Sequence, residues 1–128
     1  GKYNFKDNVK GFKLCDYVGT GFMCIKREVF ETIINKYPEI EYLSDIHAQI
    51  DNKQLPKGKK EYAFFDCGIQ GQGVLSDPDN TKRYLSEDFY FCQLWKQCNG
   101  QIWADITSEL KHIGIKTYER KPILKRHY

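Results

Sequence analysis

Long hydrophobic runs are missing from this sequence: no stretch approaches the length of a membrane span, and Gly1 opens no signal peptide. Both absences lead to the expectation of a soluble, unsecreted, cytoplasmic protein. There is no C-x-x-C pair either. The five cysteines, Cys15, Cys24, Cys67, Cys92 and Cys98, are odd in number, scattered and set among apolar neighbours. That pattern points to reduced core thiols rather than a disulfide framework or a zinc site. Low-complexity tracts and internal repeats are absent. The net charge is only +3, with no basic stripe and no nucleic-acid motif, so a nucleic-acid partner is not expected. Basic residues do gather late, at Lys111, Lys116, Arg120, Lys121, Lys125 and Arg126, as either a phosphate-facing patch or a solvated tail.

What is present is one domain's worth of chain, 128 residues rich in aromatics (Phe 8, Tyr 9, Trp 2), enough to enclose one core. Residues 1–13 read as an irregular lead-in. From Leu14 to Ile25, β-branched and aromatic residues broken by Gly19-Thr20-Gly21 predict a strand bent at the glycines, or two short strands. Val29, Phe30, Ile33, Ile34 and Tyr37 then share one helical face, with Pro38 as the stop. Residues 39–60 read as a polar surface excursion with a short helical turn. Glu61 to Cys67 reads as a strand, and the glycine-bearing stretch 68–83 as a flexible loop. Ser86 is a natural N-cap for a second helix that Asn99-Gly100 terminates. Gln101 to Ile106 is a strand, and another is expected around His112. Alternating strands and helices give an α/β fold with a mixed sheet and two main helices.

The residue types able to do chemistry are few. Glu87 and Asp88 open the second helix, where carboxylates interact well with the helix dipole and the free N–H groups. A carboxylate held there beside a mobile loop also suits a general base. His112 in a late strand is by itself no metal site, although Gly114 two residues on permits close approach of a ligand. Gly19-Thr20-Gly21 is either a bulge or a wall that leaves room for a ligand, and it is neither a P-loop nor a dinucleotide fingerprint. Asp77-Pro78-Asp79 is better explained by turn chemistry than by a metal. Asp66, ending a strand before glycine, is a site residue or a loop cap. Trp95 and Trp103 are core or pocket-wall aromatics.

In order, VGTGFMCIKREVF (Val18–Phe30), FFDCG (Phe64–Gly68), YLSEDFYFCQLWKQCNGQIWAD (Tyr84–Asp105) and KHIG (Lys111–Gly114) resemble the carboxyl-terminal half of nucleotide-sugar-dependent glycosyltransferases with the GT-A fold. The likeness spans about residues 14–118. It implies a partial GT-A architecture that transfers a sugar from a nucleotide-sugar donor to a glycan or other hydroxyl acceptor. Asp88 would be the general base and Glu87 the acceptor contact. Gly19, Thr20, Gly21, Asp66 and Trp95 would line the donor and acceptor sites. His112 would be a ligand to Mn²⁺ or Mg²⁺ bridging the donor diphosphate. The nucleotide-binding half of that family, with its D-x-D, has no counterpart here, so a fragment or a short form is expected. Little metal or nucleotide-sugar binding is expected from these 128 residues alone. The rival from another class is a non-catalytic carbohydrate- or protein-binding module that keeps a partial fold. A sheet edge stripped of its neighbours would favour self-association.

Overall fold

A computed structural model describes residues 8–44, 49–50, 53–54 and 59–108; His112 and the basic late segment lie outside them. The chain opens with β1 (Asn8–Val9) and β2 (Phe12–Cys15), an antiparallel hairpin where an irregular lead-in was expected. Lys10 and Gly11, both with positive φ (49° and 81°), form the two-residue loop that matches the twist of a hairpin. β2 also pairs antiparallel with β9 (Ile102–Asp105), giving a three-stranded sheet in the order β1-β2-β9. The strand expected through Ile25 stops at Cys15, and residues 16–26 join no ladder.

Helix α1 (Arg27–Lys36) buries Val29 and Ile33, one turn apart, and ends where Tyr37 and Pro38 lead into a 3-10 turn, Pro38–Ile40. β3 (Glu41–Leu43) follows and pairs with β6 (Lys60–Tyr62); β4 (Gln49–Ile50) pairs with β5 (Lys53–Gln54) between them. The strand predicted to reach Cys67 ends at Tyr62. Phe64 N–H bonds back to the Tyr62 carbonyl at 3.0 Å, and the chain turns there. The turn sends Phe64 edge-on to Phe30 (centroids 4.8 Å apart) and stacks Phe65 on Phe91 (4.7 Å). Short β7 (Gly68–Ile69) and β8 (Tyr84–Leu85) pair antiparallel and close the 68–83 excursion at its base.

Helix α2 (Glu87–Gln97) is the centre of the molecule. Tyr90, Phe91, Cys92, Gln93 and Leu94 are consecutive and all buried, so this helix is enclosed on every side rather than laid on a surface. Leu94, Leu85 and Ile33 are fully inaccessible, and Val29, Ile40, Leu75, Tyr90 and Phe91 complete the core. At the C-terminus Asn99 takes the left-handed conformation (φ 61°) and Gly100 N–H reaches back to the Trp95 carbonyl at 3.0 Å. Glycine at 100 serves packing instead: a Cβ there would lie 2.0 Å from Cε2 of the Trp95 indole.

The two helices and the α/β composition agree with the sequence. The mixed sheet does not appear: every strand pairing among the described residues is antiparallel, in small sheets. No described helix is long and apolar enough to cross a membrane.

The 68–83 excursion is pinned in place, contrary to the flexible loop expected. Gln93 and Gln70, 6% and 9% exposed, bond to each other (Gln70 Nε2 to Gln93 Oε1, 2.8 Å). Gln93 Nε2 donates to the Ser76 carbonyl, Gln97 Nε2 to the Val74 carbonyl and to Tyr37 Oη, and Thr81 Oγ1 to Gln70 Oε1. Asp77 acts as a turn former, as its Pro-Asp-Asn context implied. Its carboxylate accepts the N–H groups of Thr81 (2.9 Å) and Lys82 (3.1 Å).

Candidate active site

Asp88 sits in the first turn of α2, half-buried. Oδ1 accepts the Ser86 hydroxyl at 2.8 Å and the Phe89 N–H at 3.0 Å. Ser86 does occupy the N-cap position, yet its hydroxyl serves the carboxylate and makes no bond to the helix N–H groups. The Ser86 hydroxyl is the main cause holding the Asp88 carboxyl below its ordinary pKa; partial desolvation opposes it, and the N–H groups of Phe89, Asp88 and Thr20 reinforce it.

Thr20 belongs to the glycine segment. Gly19 lies against the same carboxylate, its Cβ position 3.7 Å from Asp88 Oδ2, while Gly21 faces open space. Neither glycine is in the left-handed region, so the segment's glycines answer to room, not to backbone conformation. The whole stretch 16–20 runs along one stripe of α2. Asp16 pairs with Lys96 (2.5 Å), the Val18 carbonyl accepts the Cys92 thiol (3.5 Å), and Gly19 and Thr20 meet Asp88. Residues 88, 92 and 96 recur at the four-residue spacing that puts side chains on one helix face. The periodicity was readable, but its occupant was not, because a strand was expected where an irregular segment lies.

The remaining candidates spread around this point. Glu87 is exposed, with Oε2 3.9 Å from the Cys67 sulfur. Asp66 caps the adjoining loop, accepting the Cys67 N–H at 2.8 Å. Tyr84, 68% exposed, stands next to them: the Cys67 thiol, then the Glu87 and Asp66 charges, push its hydroxyl pKa up. Trp95 lies at the far end of α2, about 10 Å along the axis from Asp88 at 1.5 Å per residue. Its indole N–H is committed to the Gln101 carbonyl (3.0 Å) and its ring to Gly100. His112 falls outside the described residues.

All five cysteines are free, but they are not all core thiols: Cys92 is buried, Cys15 and Cys98 are half-buried, and Cys24 and Cys67 are exposed. Among the described residues no three His, Cys, Asp or Glu side chains group as a metal site. Two open hollows of about 450 and 460 Å³ lie elsewhere. One is beside Lys36, Tyr37, Val74 and Gln97; the other is around Gln70, Asp77, Asn80 and Lys82. The carboxylate in the second, Asp77, is consumed by its turn.

No family model, curated protein or solved structure matches this chain.

Proposed function

We propose that this chain is the acceptor-side, catalytic portion of a GT-A-like glycosyltransferase. In this reading Asp88 takes the proton of an acceptor hydroxyl as it attacks the anomeric carbon of a nucleotide sugar. The carbon–oxygen bond to the diphosphate breaks, and the nucleoside diphosphate leaves with the bonding pair. A divalent metal would neutralise that leaving group. Glu87, Asp66 and exposed Tyr84 would face the acceptor, and Gly19 to Gly21 would leave space beside the carboxylate. The observation carrying the proposal is the meeting of two remote motifs: Gly19, of the G-T-G element, lies against the carboxylate of Asp88, of the E-D element.

The test is nucleoside diphosphate release from UDP-, GDP- and dTDP-sugars with Mn²⁺ and hydroxyl acceptors, using these residues within their whole natural chain. Asp88→Asn is expected to lower turnover by about 10²–10⁴-fold. Turnover by Asp88→Asn at the wild-type rate would remove Asp88 from the chemistry.

A second reading, the non-catalytic carbohydrate- or protein-binding module, draws support from the same carboxylate. Asp88 is met by several local donors and its pKa is pulled down, which weakens it as a base. Phe22 and Tyr84, 80% and 68% exposed, offer aromatic surface for stacking. Glycan binding by the whole chain that is lost in Tyr84→Ala, with no diphosphate released from any donor, would favour this reading.

A further inference from the structure

We infer that Tyr17 is a positioning residue for Asp88: its ring, seated on Phe89 and flanked by the Lys96 and Arg83 cations, holds Gly19 against the carboxylate. The catalytic meaning of this rests on the proposed transferase reading; the geometry does not. Tyr17 and Phe89 centroids are 4.8 Å apart with planes at 32°. Lys96 Nζ lies 5.5 Å and Arg83 Cζ 5.9 Å from the Tyr17 centroid, within cation–π range. Phe89 immediately follows Asp88 and donates its own N–H to Asp88 Oδ1 at 3.0 Å, so the ring packs on a residue that directly holds the carboxylate.

The other ties along this stripe are weak. The Asp16–Lys96 pair has Asp16 largely in water, and exposed ion pairs contribute little. The Cys92 thiol is a poor donor to the Val18 carbonyl. With no ladder hydrogen bonds in residues 16–26, the aromatic seat is the strongest anchor near Gly19. Loss of that seat frees Gly19 to swing away from Asp88 and draws the Val18 carbonyl off the Cys92 sulfur.

Two readouts test this without any assumption about activity: labelling of the buried Cys92 thiol, which the Val18 carbonyl meets at 3.5 Å, and the ¹³C titration of the Asp88 carboxyl. Tyr17→Ala is expected to speed Cys92 labelling by about tenfold, the scale of one aromatic contact, and to shift the Asp88 midpoint. Tyr17→Phe keeps the ring and leaves both near wild type. Unchanged Cys92 labelling and an unchanged Asp88 midpoint in Tyr17→Ala, with α2 amides still protected, overturn the inference. If Tyr17→Ala does not fold, Phe89→Leu decides: it removes the ring on which Tyr17 sits, and unaltered Cys92 labelling with an unaltered Asp88 midpoint in it is equally fatal. A shifted Asp88 midpoint in a protein that transfers no sugar keeps the positioning role and discards the transferase. Active transfer with no midpoint shift does the reverse.

Discussion

Replacing Gln93 by methionine keeps the side chain's length and helix propensity while deleting its polar head. Gln93 is 6% exposed and makes three bonds: it accepts Gln70 Nε2 (2.8 Å) and donates to the Ser76 carbonyl (2.9 Å) and Gln97 Oε1 (2.8 Å). Gln97 Oε1 keeps the Ser76 N–H and hydroxyl, so it is not orphaned. Ser76 is exposed, and water can reach its carbonyl. The Gln70 amide group, on a residue 9% exposed, has no such recourse and bears the cost of a buried donor left unpaired, about 1–3 kcal/mol. With a smaller contribution from Ser76, the expected loss is about 2–3 kcal/mol. Urea unfolding at ordinary slopes of about 1–2 kcal/mol per molar would then show the midpoint falling by roughly 1–3 M. The double variant Gln70→Met with Gln93→Met is expected to cost less than the sum of the single variants, since both partners then leave together. A single-variant loss below about 0.5 kcal/mol, or strict additivity, would show that the glutamine network does not hold the 68–83 excursion to α2.

Other perturbations follow from single observations. Gly100→Ala drives a methyl into the Trp95 ring and is expected to destabilise by about 1–3 kcal/mol, whereas Asn99→Gly, at a left-handed position, changes stability by only a few tenths; thermal melts separate the two. Asp105 receives the Ser108 hydroxyl (2.5 Å) and the Thr107 and Ser108 N–H groups, which hold its carboxyl well below the usual carboxylate range. Its folded pKa is depressed, so its stabilisation is present above the unfolded carboxylate range and fades as pH falls toward the folded value. The stability gap between wild type and Asp105→Asn should be full near neutrality and narrow below about pH 4. A gap that does not narrow below that range would refute this sign. Thiol titration should label Cys24 and Cys67 first, leaving Cys92, whose pKa burial raises, unreactive until unfolding.

Much of the helical skeleton was determined locally. Val29 and Ile33 one turn apart, Pro38 as a stop, the acidic first turn at Glu87 and Asp88, and Asn99-Gly100 as a terminus all act through neighbours a few residues away. The Asp77 turn was legible for the same reason. What the sequence left open depends on partners distant along the chain. The 68–83 excursion looks loose by its glycines, yet Gln70, Gln93 and Gln97 meet only because α2 passes beneath it. The apolar run after Cys15 has the composition of a strand, but it lies along a helix, where no ladder partner exists and Tyr17 finds Phe89 instead. The acids at 87 and 88 were visible as candidates from their order in the chain. Only the tertiary structure brought Gly19 onto one of them, because a contact between remote segments exists only after the core has folded and set their separation.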